Sequence, residues 1–199
     1  MIEALAEALR DRPPSVIVVG ASAGAVEALG QFLPELPANL GVPVLVVVHV
    51  PPDRRSALPD LFAAHCALET LEAEDKTMPD ACVYFAPSDY HLLVERDGSL
   101  ALSVDEPVHH SRPSIDVLFE SAADATGARA LGILLSGASH DGAAGLNQIH
   151  VAGGHTWVQT PESAQVGVMP RAALALADHV TLAPRDMGRA LAAWRRLDG

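Results

Sequence analysis

Aromatic residues make up only 4% of this 199-residue chain, so its core must be built from Val, Leu, Ile and Ala. That is the composition of α/β proteins whose central strands are covered on both faces. Cysteine is scarce as well. Cys66 and Cys82 have no neighbour at C-x-x-C spacing, which argues against a structural zinc or a dithiol redox pair. Basic residues are few: 13 Lys and Arg stand against 25 Asp and Glu, a net charge of -12. Such a balance disfavours a nucleic-acid binder that neutralises phosphates, and equally an anionic membrane surface. Long hydrophobic runs are missing. The longest aliphatic run, Val44 to Val48, falls far short of the roughly 20 residues that cross a bilayer. The opening MIEALAEALRDR carries acids and no apolar stretch of the signal-peptide kind, so a cytoplasmic protein with free thiols is expected, without membrane insertion.

What is present is a chain with 49% hydrophobic and 19% charged residues, which can bury a sizeable core. Length and continuity suggest one domain over 1–199: an N-terminal helix or extension over 1–15, a core over about 16–183 and a C-terminal helix over about 184–196. Ile2 to Leu9 has helical spacing, and Pro13-Pro14 ends it before a buried strand at Val16 to Val19. VEALGQFLPEL follows the turn GASAGA and predicts a helix with Val26, Leu29, Phe32 and Leu33 on its buried face. PVLVVVHV then completes a βαβ unit. SALPDLFAAHC reads as a helix. ALETLEA, CVYFAP, HLLVER and LALSV read as short strands, the last two joined by a turn at Asp97-Gly98, and together they suggest hairpin structure at a sheet edge or in a flap. Ser114 offers a cap to IDVLFESAADA, and strands at ALGILLSG, HTWVQ and VTLA alternate with three more helices. This alternation predicts a doubly wound α/β fold: a mostly parallel, Rossmann-like three-layer sheet with helices on both faces and a short hairpin region in the middle.

In open parallel sheets ligands bind beyond the carboxyl ends of the strands. Three residues stand there. Ser22 lies in Gly20-Ala21-Ser22-Ala23-Gly24, a G-x-S-x-G turn between strand and helix that can present a hydroxyl, though a tight turn or a phosphate-cradling loop reads the same way. His49 leaves the second strand, where a satisfied core histidine is the plainer reading. Asp141 sits in LLSGASHDGAAGL, where an aspartate commonly caps the helix that follows it. Their conjunction points to nucleophilic catalysis, because a serine hydroxyl needs an imidazole to take its proton and a carboxylate to orient that imidazole. The chain order Ser, His, Asp differs from the Ser, Asp, His of α/β-hydrolases. A dinucleotide site is not supported, since Val26 stands where a third glycine is needed and His49 where an acid is needed; the P-loop lysine is also missing.

Several segments in order resemble the catalytic domain of the chemotaxis methylesterase family, CheB, over Val16 to about Val180: VIVVGASAGAVEAL, VVVHVPP, YFAPSDYHLLV, RPSIDVLFESAA, LLSGASHDGAAGL and VMPRAAL. The resemblance implies Ser22 as nucleophile, His49 as base and Asp141 as orienting acid, with backbone N–H groups near Ala23 and Ala138 holding the oxyanion. It implies hydrolysis of glutamyl γ-methyl esters, with glutamine deamidation as a second activity of the same groups, and neither cofactor nor metal. The implied substrate is a methylated chemoreceptor or related helical signalling protein, and a separate receiver or methyltransferase protein is a further candidate partner. Ala23, Ala25, Ala138 and Ser139 depart from the family's usual residues, and only about 15 residues precede the first strand where a receiver domain is common, so receiver-type autoinhibition is not expected within this chain. Arg54, Arg55, Arg112, Met169 and Arg171 are candidate substrate-binding residues, the arginines because an acidic receptor helix must approach an acidic protein. A catalytically silent module that binds such a partner through the same crevice is the alternative.

Overall fold

In the computed structural model, which describes residues 1–49 and 57–197, the β-branched runs form the middle of one sheet. In chain order the elements are α1 (Ile2–Asp11), β1 (Val16–Ala21), α2 (Ala25–Phe32), β2 (Val44–Val48), α3 (Leu58–Ala63), β3 (Thr70–Glu72), β4 (Val83–Phe85), β5 (His91–Val94) and β6 (Leu100–Ser103). They continue as α4 (Ile115–Thr126), β7 (Ala130–Leu134), α5 (Ala143–Val151), β8 (His155–Gln159), α6 (Val168–Leu174), β9 (Val180–Leu182) and α7 (Pro184–Leu197). Among the described residues seven strands pair in the order β3-β4-β2-β1-β7-β8-β9, all parallel.

Every position of β1, β2 and β7 is buried, and alternation along the strands sends their side chains to two cores. Ile17, Val19 and Val46 pack with Leu9 of α1, Leu29 and Phe32 of α2, and Leu191 and Trp194 of α7. Val18, Leu45 and Val47 pack with Leu118 and Phe119 of α4 and Leu146 and Ile149 of α5. Each such aliphatic side chain contributes roughly 1.5–3 kcal/mol on burial. Among the described residues no helix is long and apolar enough to cross a membrane.

Winding reverses between β1 and β7. The chain leaves β1 through α2 toward β2 on one side, and leaves β7 through α5 toward β8 on the other. A reversal of this kind marks the place, beyond the carboxyl ends of the two strands, where ligands bind in open parallel sheets.

One expectation is corrected. Val26 is 55% exposed, because α2 turns Ala25, Ala28, Leu29 and Phe32 inward instead. The expected middle hairpin is the antiparallel pair β5 and β6, while β3 and β4 extend the parallel sheet at its edge.

Candidate functional site

The serine turn is held by a buried hydroxyl. Ser22 N–H donates to the Ser136 carbonyl at 2.9 Å, tying the loop after β1 to the loop after β7. Ser136, 1% exposed, donates its own hydroxyl to the Ala23 carbonyl at 2.7 Å and accepts from the Val166 N–H at 2.9 Å, while its N–H donates to Gln159 Oε1 at 2.8 Å. Gly24 is the N-cap of α2 at φ +83°, and a Cβ there would lie 2.6 Å from Ser136 Oγ and 2.8 Å from Gln165 Cβ. Gly24→Ala is thus expected to cost about 2–4 kcal/mol, from the left-handed backbone and the overlap together. Thermal melting checks this, and an unchanged melting temperature would mean that the turn tolerates a side chain.

His49 follows β2, and its Nε2 lies 2.7 Å from Asp141 Oδ2. A carboxylate can only accept, so Nε2 carries the proton and Nδ1 is the nitrogen left with a lone pair. Asp141 is fully buried, yet its oxygens are well supplied with donors. Oδ1 accepts from Ser114 Oγ at 2.8 Å and Asp116 N–H at 2.9 Å, and Oδ2 accepts from Ile115 N–H at 2.7 Å besides His49. Burial alone would raise this carboxyl, but the bonds from His49, the Asp116 and Ile115 amides and Ser114 outweigh it and hold it below the ordinary carboxylate range. Ser22 and His49, with Gly24, Val26, Glu27, Leu58 and Gln165, line one open cleft of about 590 Å³. Among the described residues no hydrogen bond joins the Ser22 hydroxyl to His49; such bonds often close only when substrate is present.

Caps expected from the sequence are exchanged between the two helices. Ser114 is the N-cap residue of α4 but makes no side-chain cap bond to it, its hydroxyl going to Asp141. Asp141, expected to cap the helix it precedes, caps α4 through the Ile115 and Asp116 amides. In return Asp116, in the first turn of α4, accepts from the Gly142 and Gly145 N–H groups of α5 at 2.9 and 2.7 Å on Oδ1. Its Oδ2 meets His109 Nε2 at 3.1 Å. Burial pushes the Asp116 carboxyl up, the Asp141 charge adds to this, and the bond from the Gly145 amide and the nearby His109 offset it only in part. His109, Asp116 and Asp141 present ligand atoms within 4.8 Å of one another, but those oxygens are already engaged by amides, a hydroxyl and imidazoles, so a metal ion would have to dismantle both caps.

The remaining expected residues divide. The N–H groups of Ala23 and Ala138 make no hydrogen bond among the described residues and belong to the loops after β1 and β7, which the Ser22–Ser136 bond ties together. Met169 has no exposed surface: it packs beneath Gly137, where a Cβ would fall 2.5 Å from its Cε, and it cannot touch a substrate. Arg112 is committed internally, since Nε and Nη2 reach Asp89 Oδ1 at 3.0 and 2.6 Å and Nη1 reaches the Val104 and Asp105 carbonyls at 2.8 and 3.0 Å. Its guanidinium is a loop staple and not a free anchor for substrate. Arg171 is exposed and lies over Gly167, next to the Gly137–Gly167 bridge. Arg54 and Arg55 lie outside the described residues. Burial raises both cysteine thiols, keeping them from the reactive thiolate form. Ser114, Asp116, Ser136, Gln159 and Gln165 were missed as site residues, and RPSID was the stretch with a signal, its serine and acid standing at a helix start.

Comparison with known proteins gives a consistent result. The family model described as CheB methylesterase matches residues 17–191. A Leptospira interrogans protein with the provisional name protein-glutamate methylesterase/protein-glutamine glutaminase is 40% identical over 159 residues, 79% of this chain and 82% of that protein. A Burkholderia pseudomallei protein named protein-glutamate methylesterase/protein-glutamine glutaminase 1 is 39% identical over 184 residues, 89% of this chain but 50% of its own length. This chain thus spans about half the length of that second relative. The crystal structure of the Thermotoga maritima CheB methylesterase catalytic domain superposes with a TM-score of 0.83 at 27% identity, covering 90% of this chain and 98% of that one. On the match over residues 17–191, joined by relatives at 40% identity and the shared fold, the chain belongs to the CheB methylesterase family.

Proposed function

We propose that this chain is a serine hydrolase that removes methyl groups from glutamyl γ-methyl esters of chemoreceptor-like proteins in the cytoplasm and deamidates glutamine with the same groups. The observation that carries this reading is the 2.7 Å pairing of His49 Nε2 with the buried Asp141 carboxyl at the cleft that Ser22 also lines. The relatives' names, protein-glutamate methylesterase/protein-glutamine glutaminase, support the choice of glutamyl esters and glutamine side chains.

The chemistry follows from the proton inventory. With Nε2–H given to Asp141, His49 Nδ1 takes the Ser22 proton as Oγ attacks the ester carbonyl. Negative charge gathers on the carbonyl oxygen, where the free Ala23 and Ala138 N–H groups are donors whose function does not depend on their side chains. Collapse breaks the acyl–oxygen bond, His49 returns the proton to the departing methoxide, and methanol leaves. Water, deprotonated by the same nitrogen, then attacks the acyl-enzyme and releases a glutamate carboxylate and Ser22. A glutamine side chain follows the same course with ammonia as the leaving group.

An activated hydroxyl separates this reading from a silent binding module. A fluorophosphonate probe is expected to label Ser22, to leave Ser22→Ala unlabelled, and to react about 100-fold or more slowly with His49→Ala, the usual scale of general-base assistance. Failure to label the wild-type protein would contradict the proposal.

A further inference from the structure

We propose that His91 is a positioning residue for the catalytic base, acting through Ser114 and Asp141; this rests on the assignment of Ser22, His49 and Asp141 above. His91 opens β5, is 1% exposed, and takes no part in the chemistry. Its Nδ1 accepts the Ser114 N–H at 3.1 Å, and its Nε2 meets the Glu106 carbonyl at 3.1 Å. An amide N–H can only donate and a carbonyl can only accept, so the neighbours fix the tautomer: lone pair on Nδ1, proton on Nε2.

What His91 holds is the first residue of the Asp141 cradle. Among the described residues, three consecutive ones, Ser114, Ile115 and Asp116, supply three of the four bonds to the Asp141 carboxylate, and the fourth is His49. Position and rotation of that single turn therefore set where the carboxylate points, and with it the imidazole ring. Ser114 is fully buried, and among the described residues its N–H has no acceptor other than His91. The other ring nitrogen reaches the opposite end of the same loop, since Glu106 directly precedes Pro107, which with His110, Ser111, Arg112 and Pro113 lines a cavity against His49. One imidazole thus staples both ends of the 106–114 segment. Misplacing a catalytic group by ~1 Å from a distance can cost on the order of 100-fold in rate.

The ring nitrogens can be replaced one at a time. An asparagine oxygen reaches the place of Nδ1, whereas a glutamine amide nitrogen reaches the place of Nε2. His91→Gln keeps the Glu106 bond and leaves the Ser114 N–H without its acceptor, so kcat for methyl-ester hydrolysis is expected to fall about 10- to 100-fold with KM unchanged. His91→Asn restores most of that loss. Equal losses in both variants, no loss in either, or a loss expressed in KM would overturn the proposal. Should His91→Gln fail to fold, His91→Asn carries the test, because it keeps an acceptor for the Ser114 N–H and gives up the Glu106 bond: a kcat within about 3-fold of the wild type supports the route through Ser114, and a kcat lowered about 10-fold or more overturns it. The downfield proton resonance of His49 Nε2–H, sharp in the wild type and in His91→Asn and exchange-broadened in His91→Gln, reports the same geometry without substrate. A wild-type protein with no turnover would count against the proposed function, while an unaltered resonance in His91→Gln would count against the role of His91.

Discussion

Asp141→Asn is expected to lower kcat by about 10⁴-fold with little change in KM, the scale of loss when the carboxylate that orients a catalytic imidazole becomes an amide. The reason lies in the bond at His49. Both oxygens accept from donors, so an amide nitrogen is mismatched in either place: at Oδ2 it faces the donors of His49 and Ile115 and turns the imidazole tautomer around, and at Oδ1 it faces the Asp116 N–H and displaces the turn that aims the group. Asp141→Ala adds a loss of stability, because the Ser114 hydroxyl and the Ile115 and Asp116 amides are left without an acceptor in a buried site. Orphaned donors of this kind cost about 1–3 kcal/mol each and are not additive, so a total of about 3–5 kcal/mol is expected. For a chain of this size that lowers the melting temperature by roughly 6–20 °C. The pH dependence has a definite sign. The Asp141 carboxyl is held below its unfolded value, so its contribution is complete above the unfolded pKa and disappears as pH falls through the folded one. Acid titration of wild type against Asp141→Ala should show the stability gap closing below about pH 4, the ordinary carboxylate range. A gap independent of pH would mean that the carboxylate charge contributes nothing to the fold.

The partner carboxylate gives the second large effect. Asp116→Ala is expected to cost about 3 kcal/mol, because the Gly142 and Gly145 amides at the start of α5 lose their shared acceptor. Asp116→Asn should stay within about 1 kcal/mol of the wild type, since its amide oxygen can serve both donors. Here the sign is reversed. Burial first, and the Asp141 charge after it, raise the Asp116 carboxyl above its unfolded value, so its contribution is present below the unfolded pKa and is lost as pH rises through the folded one. The asparagine, which carries no charge, is therefore expected to gain on the wild type as pH rises from 4 to 8, within the range where a raised carboxyl ionises. Equal melting temperatures for Asp116→Ala and wild type would remove Asp116 as a cap.

Periodicity and turn residues exposed much of the fold. β1 and β2 were readable because β-branched runs buried on both faces have few other solutions, and β7 and β8 because short apolar segments stand between glycine-flanked turns. Strand order in the middle was not readable. Thr70–Glu72 and Val83–Phe85 are three-residue strands, too short to show whether they pair with each other in a hairpin or extend a parallel sheet. Val26 misled because the first turn of α2 buries Ala25 and Ala28, small residues that carry less hydrophobic signal than the valine beside them. At the site, the positions of Ser22 and His49 just after β1 and β2, and of Asp141 just before α5, were legible, but the exchange of caps between α4 and α5 was not. It joins Asp141 to residues 25 to 27 positions away, and local sequence favours the local cap. For Arg112 and Met169, residue type suggested contact with substrate, whereas only packing shows that one is tied to Asp89 and the other buried under Gly137.

Methanol release from a methylated chemoreceptor fragment, followed for the wild type and Ser22→Ala at matched concentration, is the most direct measurement of the proposed chemistry. Release by the wild type that falls by several powers of ten in Ser22→Ala is expected for an acyl-enzyme route through that hydroxyl. Turnover that persists in Ser22→Ala would contradict it.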